Sequence, residues 1–476
     1  MKGNLPKIVI SICLAFALGG LAGIVMNPEP KSGSTWYLYQ VDGAYDHGRF
    51  NSIALDSMGN PHISYFNRDD GDLMYAKWNG YGFDLETVDS NGTVGWTTSI
   101  AIDSNDYPHI SYNDMTNSNL KYAKWDGTDW VIETVDNSGN VYYYSSLVLD
   151  SNDYPHIAYY QKHGTGPRYT YWDGSSWNTY GLASTYVGYY ISVRLDSNEE
   201  PHIGFHTTHD WDLMYAKWSG FGFNTETVSL PGEDAGSLGS MALDSSDQPH
   251  MSYRIEPTDD LNYAKCTLVG GSCDWTIDSV ISTGVIGASY LNLDSSEYPQ
   301  IAFRDGDTKL QYASWDGSSW GFELVDPDNA SVSYLSSAID GDGNPHISYS
   351  ANATPTLMYA TKAELVAPPC EVEFDFDPNT LNLKSNGRWI TAYFTSNNCD
   401  VNDIDPTTLL MNGAVPPERW EMQANATLMV KFGRALVQAT VTVGDGVVIE
   451  VTGTWMGGMT FSVTDTIRVI DPPPDK

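Results

Sequence analysis

From about residue 35 onward the chain is made of short runs in which apolar and polar residues alternate, broken every few positions by Asp, Asn, Gly, Pro or Ser. In Ser52-Ile53-Ala54-Leu55 the larger Ile53 and Leu55 alternate with Ser52 and Ala54, the period of two that turns one face of a strand toward a core. Sustained 3.6-residue spacing of apolar positions, the mark of an amphipathic helix, is missing. The stretch IALDSMGNPHISY, residues 53–65, recurs six more times, as in IAIDSNDYPHISY and LVLDSNDYPHIAY. Its aspartates are Asp56, Asp103, Asp150, Asp196, Asp244, Asp294 and Asp340, so the copies stand 46 to 50 residues apart. Each copy reads as four β-rich runs joined by turns. Repeats of that length and strand content predict blades closing a ring: an all-β fold with a seven-bladed β-propeller of four-stranded blades over residues 35–366.

The last copy ends at LMYATKAELV and lacks the fourth run of its siblings. TWYLYQVD, residues 35–42, has the look of that missing run and stands before the first copy. This predicts an N-terminal strand that closes the last blade and leaves no open sheet edge. Residues 367–476 hold no further copy; their runs RWITAYF, TLMVKFG, VVIEVTG and DTIRVI predict a C-terminal Ig-like β-sandwich. Residues 1–26 begin with two lysines and continue as an apolar run from Ile8, which reads as a signal peptide or an N-terminal membrane anchor. Either reading makes the remainder extracellular, secreted or anchored to the outer face of the cell membrane, with membrane tethering through the apolar segment as the second case.

Cysteine usage agrees with export. Outside the leader there are four, and their order pairs Cys266 with Cys273 and Cys370 with Cys399 as disulfides. Neither pair has the CxxC spacing of a zinc site, so no metal is expected there. DFDPN (375–379) and DGDGN (340–344) set oxygen ligands at alternate positions, as calcium loops do, but without a downstream glutamate. Turn chemistry is the better reading; no cofactor is expected, with calcium the weaker alternative. With 60 acidic against 24 basic residues the formal charge is −36, which repels phosphate backbones and argues against nucleic acid as a partner.

A histidine behind proline in each repeat invites a catalytic reading. His62 has equivalents in His109, His156, His202, His250 and His346, and Gln300 stands in the remaining copy. One catalytic centre needs one base, whereas six copies spread round a ring are scaffold; each is expected to pin its turn through aspartate or backbone. The chemistry that varies lies in the long connections on the other face. GNVYYYSS and STYVGYYIS supply Tyr142, Tyr144, Tyr186, Tyr189 and Tyr190. Nearby loops supply His163, Arg168, His206, His209 and Trp211, and Arg194 stands where most siblings have alanine. Aromatic faces beside polar donors suit sugar rings, so these eleven residues are the candidate ligand-binding set, with packing between blades as the alternative role for the tyrosines.

The unit LDSxGxPHISY…YAKWDGxxW resembles the sialidase-like, BNR-type propeller repeats of secreted archaeal and bacterial proteins over residues 35–366, and SWDGSSW (314–320) is similar to a shortened Asp-box. FDFDPNTLNLKSNGRWITAYF, VNDIDPTTLLMNG and DTIRVI resemble a C-terminal β-sandwich module of secreted archaeal and bacterial surface proteins, which implies an accessory, adhesive or spacer role. The leading expectation is an exported, non-enzymatic binding or adhesion protein that recognises a glycan or another cell-surface ligand, with no catalytic residue assigned. Resemblance to propeller-based polysaccharide lyases gives the alternative, a lyase or glycoside hydrolase acting on acidic glycans, with His163, His206, Tyr189 and Arg194 as its set. A structural cell-envelope protein is the third reading.

Overall fold

The turns dictate the strands. In the first repeat Asp56 accepts backbone N–H groups from Met58 and Asn60 at 3.0 and 2.8 Å, and the same aspartate of the other copies does the same. That folds each DSxxxP segment back on itself and sets the next run antiparallel to the last. A computed structural model describes residues 35–471 apart from 45, 81, 162–165, 183–186, 208–210, 231, 257, 270–271, 283–284, 330, 352–355, 366–371, 397–400, 424–426 and 456–459. The leader 1–26, Cys370 and Cys399 therefore lie outside the described residues. The chain divides into two compact units, Met1–Val366 and Ala367–Lys476.

In the first unit the described strands form seven four-stranded antiparallel sheets. The first contains His47–Leu55, Pro61–Asn67, Asp72–Trp78 and Phe83–Asp89 in that order. Innermost strands succeed one another round an axis, His47–Leu55 beside Val94–Ile102 and onward to Ser333–Ile339, which lies against His47–Leu55 again. The arrangement is propeller-like. Tyr37–Asp42 is the outermost strand of the sheet built from the last repeat, pairing antiparallel with Thr356–Thr361. Gly48 and Gly95, at φ 91° and 92°, admit close passage of the preceding sheet: a Cβ would lie 2.8 and 2.7 Å from the Cα atoms of Leu357 and Leu73.

Between neighbouring sheets the core is apolar, as where Ile53, Ile63, Tyr65 and Ala76 pack against Tyr39, Leu357 and Tyr359. The innermost strands are sheet edges, and their inward N–H groups need acceptors. A serine of the preceding sheet supplies one at five joints. Ser336, Ser52, Ser99, Ser146 and Ser240 accept from the N–H groups of Ile53, Ile100, Leu147, Val193 and Leu291 at 2.6–3.3 Å.

Inside each sheet the repeated histidine is locked. His62 is fully buried; its Nδ1 lies 2.6 Å from the Tyr75 hydroxyl and its Nε2 3.5 Å from Asp56. With the Nε2 proton toward the carboxylate, Nδ1 accepts from the tyrosine. The same Asp, His and Tyr recur in five more sheets, and Gln300 donates to Asp294 at 2.8 Å in the remaining one. Cys266 and Cys273 are joined across the hairpin of Asp260–Val269 and Ser272–Ile281, with Cα atoms 5.1 Å apart.

The second unit consists of two four-stranded sheets. One holds Val372–Asp377, Trp389–Ser396, Thr427–Gly433 and Pro417–Gln423, the other Thr380–Asn382, Thr460–Ile470, Gly444–Trp455 and Ile404–Met411. Their inner faces share a core that includes Phe376, Phe394, Val430, Phe432, Leu409, Ile449, Val451 and Ile467. Trp389 to Gly433 pairing sets Ile390, Ala392 and Phe394 on one face by simple alternation.

Burial holds the imidazoles of His62, His109, His156, His250 and His346 below the usual histidine value and pushes those of His202 and His206 down to about 4. Such a group takes up its proton first in the unfolded chain. Stability is therefore full above about 6.5 and is lost as the pH falls toward 4. Burial also works to raise Asp56, Asp196, Asp244 and Asp340, but their hydrogen bonds outweigh it and hold them low, so their loss comes later on acidification. His47, which burial would lower, is held high by Asp42 and opposes the trend with a single proton. Thermal unfolding at fixed ionic strength should show the melting temperature falling from about pH 6.5 downward. A melting temperature flat to about pH 4.5 would contradict the buried neutral histidines.

Candidate functional site

On the axis of the first unit lies a cavity of about 380 Å³ to which all seven innermost strands contribute. Its wall is mostly hydroxyl and aromatic: serines 52, 99, 146, 192, 240 and 336 at one level, where Tyr290 takes the equivalent place in its strand, and Phe50, Tyr144, Tyr190 and Tyr334 toward the variable-loop side. The strands run on past the serines to Leu55, Ile102, Leu149, Leu195, Leu243, Leu293 and Ile339, none of which lines the cavity. The cavity thus occupies the loop-side part of the ring.

Backbone irregularity builds this end. Every innermost strand breaks register with its neighbour near its start, as between Arg49 and Ser52, Trp96 and Ser99, Val187 and Ile191, or Ser333 and Leu335. At the breaks Phe50, Thr97, Tyr143, Tyr190 and Tyr334 take φ of 50°, 51°, 56°, 68° and 49°, a left-handed conformation that costs an L-residue about 1 kcal/mol or more. A bulge of this kind re-aims a side chain. The aromatic rings meet in pairs: Phe50 lies 4.3 Å from Tyr334 and 4.6 Å from Trp96, and Tyr144 lies 4.3 Å from Tyr190, measured between centroids. Burial pushes the Tyr190 hydroxyl up, while a hydrogen bond with Tyr144 works the other way.

Of the residues singled out from sequence, Tyr144 and Tyr190 line this cavity. His206 and Trp211 form a second, separate group: His206 is 2% exposed, its Nδ1 has no hydrogen-bond partner, and its ring lies 5.4 Å from that of Trp211, which is 44% exposed. Arg168 donates to Gln161 at 2.6 Å, and Gln161 in turn to Asp136, a structural chain. Arg194 sits opposite His202 and donates to the Val193 carbonyl at 2.7 Å. It is thus four residues, about 13 Å, along Pro201–Thr207 from His206. His163, Tyr186 and His209 lie outside the described residues, as do the side chains of Tyr142 and Tyr189. Phe50, Tyr290 and Tyr334 line the cavity, with Trp96 packed against Phe50, although their loops did not stand out in sequence. Among the described residues no group of three or more His, Cys, Asp or Glu is placed to hold a metal, and no helix is long and apolar enough to cross a membrane.

No protein-family model matches the chain, and no curated protein matches it. Among solved structures, AofleA from Arthrobotrys oligospora is 13% identical with a TM-score of 0.41, covering 63% of this chain and 94% of its own. A six-bladed fucose-recognising lectin from Aleuria aurantia is 14% identical at a TM-score of 0.40, covering 61% and 98%. A protein of unknown function from Dyadobacter fermentans is 9% identical at 0.41, covering 68% and 98%. Likeness at this level carries no argument about activity, and the architecture rests on the chain's own sheets.

If the left-handed aromatics serve a ligand and not the fold, glycine should replace them at little cost. Tyr190→Gly and Tyr334→Gly, entering backbone conformations that glycine adopts freely, should each change stability in urea unfolding by less than about 1 kcal/mol. A loss above about 3 kcal/mol, the range of a deleted core aromatic, would assign these rings to packing.

Proposed function

We propose that this chain is an exported, non-enzymatic glycan-binding protein: a seven-bladed β-propeller over residues 35–366 that holds a sugar at the loop-side mouth of its axial cavity, followed by an Ig-like β-sandwich over 367–476 with an accessory or adhesive role. In this reading residues 1–26 direct export or tether the protein to the outer face of the membrane. The observation that supports it is the mouth itself, where Phe50, Tyr144, Tyr190 and Tyr334 stand over a ring of serine hydroxyls. Aromatic faces take the C–H face of a pyranose and the hydroxyls take its edge, while a cavity of about 380 Å³ suits one or two sugar residues. Strained backbone retained at five of the strands is what a binding site, more than a core, would keep.

The lyase or hydrolase reading draws on His206, buried, neutral and with an unpartnered Nδ1. A proton abstraction also needs a cation on the substrate carboxylate, and Arg194, about 13 Å along the strand, is engaged with backbone. Binding without turnover is therefore preferred.

The purified chain should retain glycans on an array that includes neutral, acidic and fucosylated members. Tyr190→Gly should lower retention at least about tenfold, the loss of one stacking contact with its solvent exclusion, with the fold intact. Uniform silence across the array, or retention untouched by Tyr190→Gly and Tyr334→Gly together, would overturn the proposal.

A further inference from the structure

The serines of the axial ring can do two jobs, one as acceptors and one as donors. At Ser52, Ser99, Ser146, Ser240 and Ser336 one oxygen lone pair is taken by the N–H of the next innermost strand. A hydroxyl so engaged still has its own proton to give. Among the described residues no acceptor for these five protons is found, and all five serines line the cavity. A ring of N–H-bonded serines thus presents O–H donors to one space, the reverse of a cation cage, whose lining must be acceptors.

A cation completes that lining. Arg304 borders the cavity, donates through Nη1 to the Val332 carbonyl at 3.0 Å, and has a buried Nε with no hydrogen-bond partner. Room for it depends on Gly287, where a Cβ would stand 2.7 Å from the Arg304 Cβ. Its sequence neighbour Asp305 is occupied on its own hairpin by the Lys309 N–H at 2.8 Å and the Gln311 amide at 2.7 Å. The neighbouring Arg254 is held by Asp259 and Glu256. Burial, and then the Arg254 charge, press the Arg304 guanidinium below its usual value, and the charge of Asp305 offsets them only in part. In a chain of net charge −36, a partly buried cation beside a ring of donors is a local reversal of sign.

We propose that the axial cavity receives an oxyanion, the carboxylate or sulfate of an acidic sugar, end-on along the axis, with serines 52, 99, 146, 240 and 336 and Arg304 as its donors and one ligand per chain. The proposal rests on the glycan-binding reading of the same mouth and names its ligand class. The aromatic rim takes the face of the sugar ring, and the acidic substituent points down to the serines. Charge-assisted hydrogen bonds from a guanidinium and several hydroxyls, in a cavity that excludes most water, favour the anion over its neutral counterpart.

Calorimetric titration with matched pairs tests it. The probes are methyl glucuronoside against its methyl ester, which isolates the carboxylate, and glucose 6-sulfate against glucose, which isolates the sulfate. A fucosylated neutral oligosaccharide in the same series reports whether the mouth binds sugar at all. At least one charged probe should bind about tenfold or more tighter than its neutral partner, at one per chain, and the pair that shows the gap identifies the source of the oxyanion. R304Q should close the gap, bringing the charged probe to the affinity of its neutral partner. Neutral and charged probes binding alike, or a gap that survives R304Q, would overturn the proposal and leave the glycan-binding reading standing; silence from every probe, neutral ones included, would remove both. If R304Q fails to fold, the wild-type gap decides alone, its presence at 1:1 supporting the oxyanion and its absence refuting it.

Discussion

An innermost strand of the ring is a sheet edge facing an axis, and its unpaired N–H groups must find acceptors or cost about 1–3 kcal/mol each. The answer at five joints is a serine hydroxyl from the preceding sheet. Because at these joints one sheet supplies the acceptor for the next, including Ser336 of the last sheet for Ile53 of the first, the constraint favours a closed ring. It also fixes the bore: a small hydroxyl side chain at that level keeps the strands close to one another and keeps the axis open and polar. The cavity and its donors follow from a requirement of the scaffold.

Away from the axis the joints show how polar pairs are kept or lost together. Tyr65, Tyr112, Tyr159 and Tyr349 each donate to an aspartate that ends the outermost strand of the preceding sheet, Asp42, Asp89, Asp136 and Asp326, at 2.6–2.7 Å. At one joint where phenylalanine, Phe303, replaces the tyrosine, Ile281 stands where these four have aspartate, while Tyr253 is kept opposite Ser229. A buried carboxylate without its donor would be more costly than an apolar contact, and none of these aspartates is left without its tyrosine; Tyr253 accepts from Asn262 instead. The Asp, His and Tyr chain inside each sheet obeys the same rule in its glutamine-bearing copy, where Gln300 keeps the hydrogen bond to Asp294 and gives up the proton chemistry.

These regularities explain what the sequence made legible. The repeat carries the turn aspartate, the buried histidine and the strand alternation in nearly every copy, so the all-β architecture, its four-stranded units and the structural nature of His62 can be read from spacing alone. The strand at Tyr37–Asp42 was legible because the last copy lacks a run and the N-terminus offers one. The mouth was only half legible. Tyr144 and Tyr190 stood out as tyrosine clusters, but Phe50, Trp96 and Tyr334 occur singly, and what brings them together is a left-handed bulge that large aromatic residues do not announce. Arg168 and Arg194 looked available in sequence, but Arg168 is bound to Gln161 of the adjacent strand and Arg194 to the Val193 carbonyl of its own strand, contacts that residue type alone does not reveal. Sequence likewise could not separate the group at His206 and Trp211 from the axial one, since both follow innermost or second strands of adjacent repeats.

The central claim is that one sugar binds on the axis, its ring against the aromatic mouth and its substituents toward the serine ring. A crystal structure of residues 35–476 with a bound oligosaccharide tests this most directly. The account predicts density for a single pyranose between Tyr190 and Tyr334, with ligand oxygens within about 3 Å of the serine hydroxyls. Sugar found instead at His206 and Trp211, or repeated between several pairs of sheets with the axis empty, would contradict it.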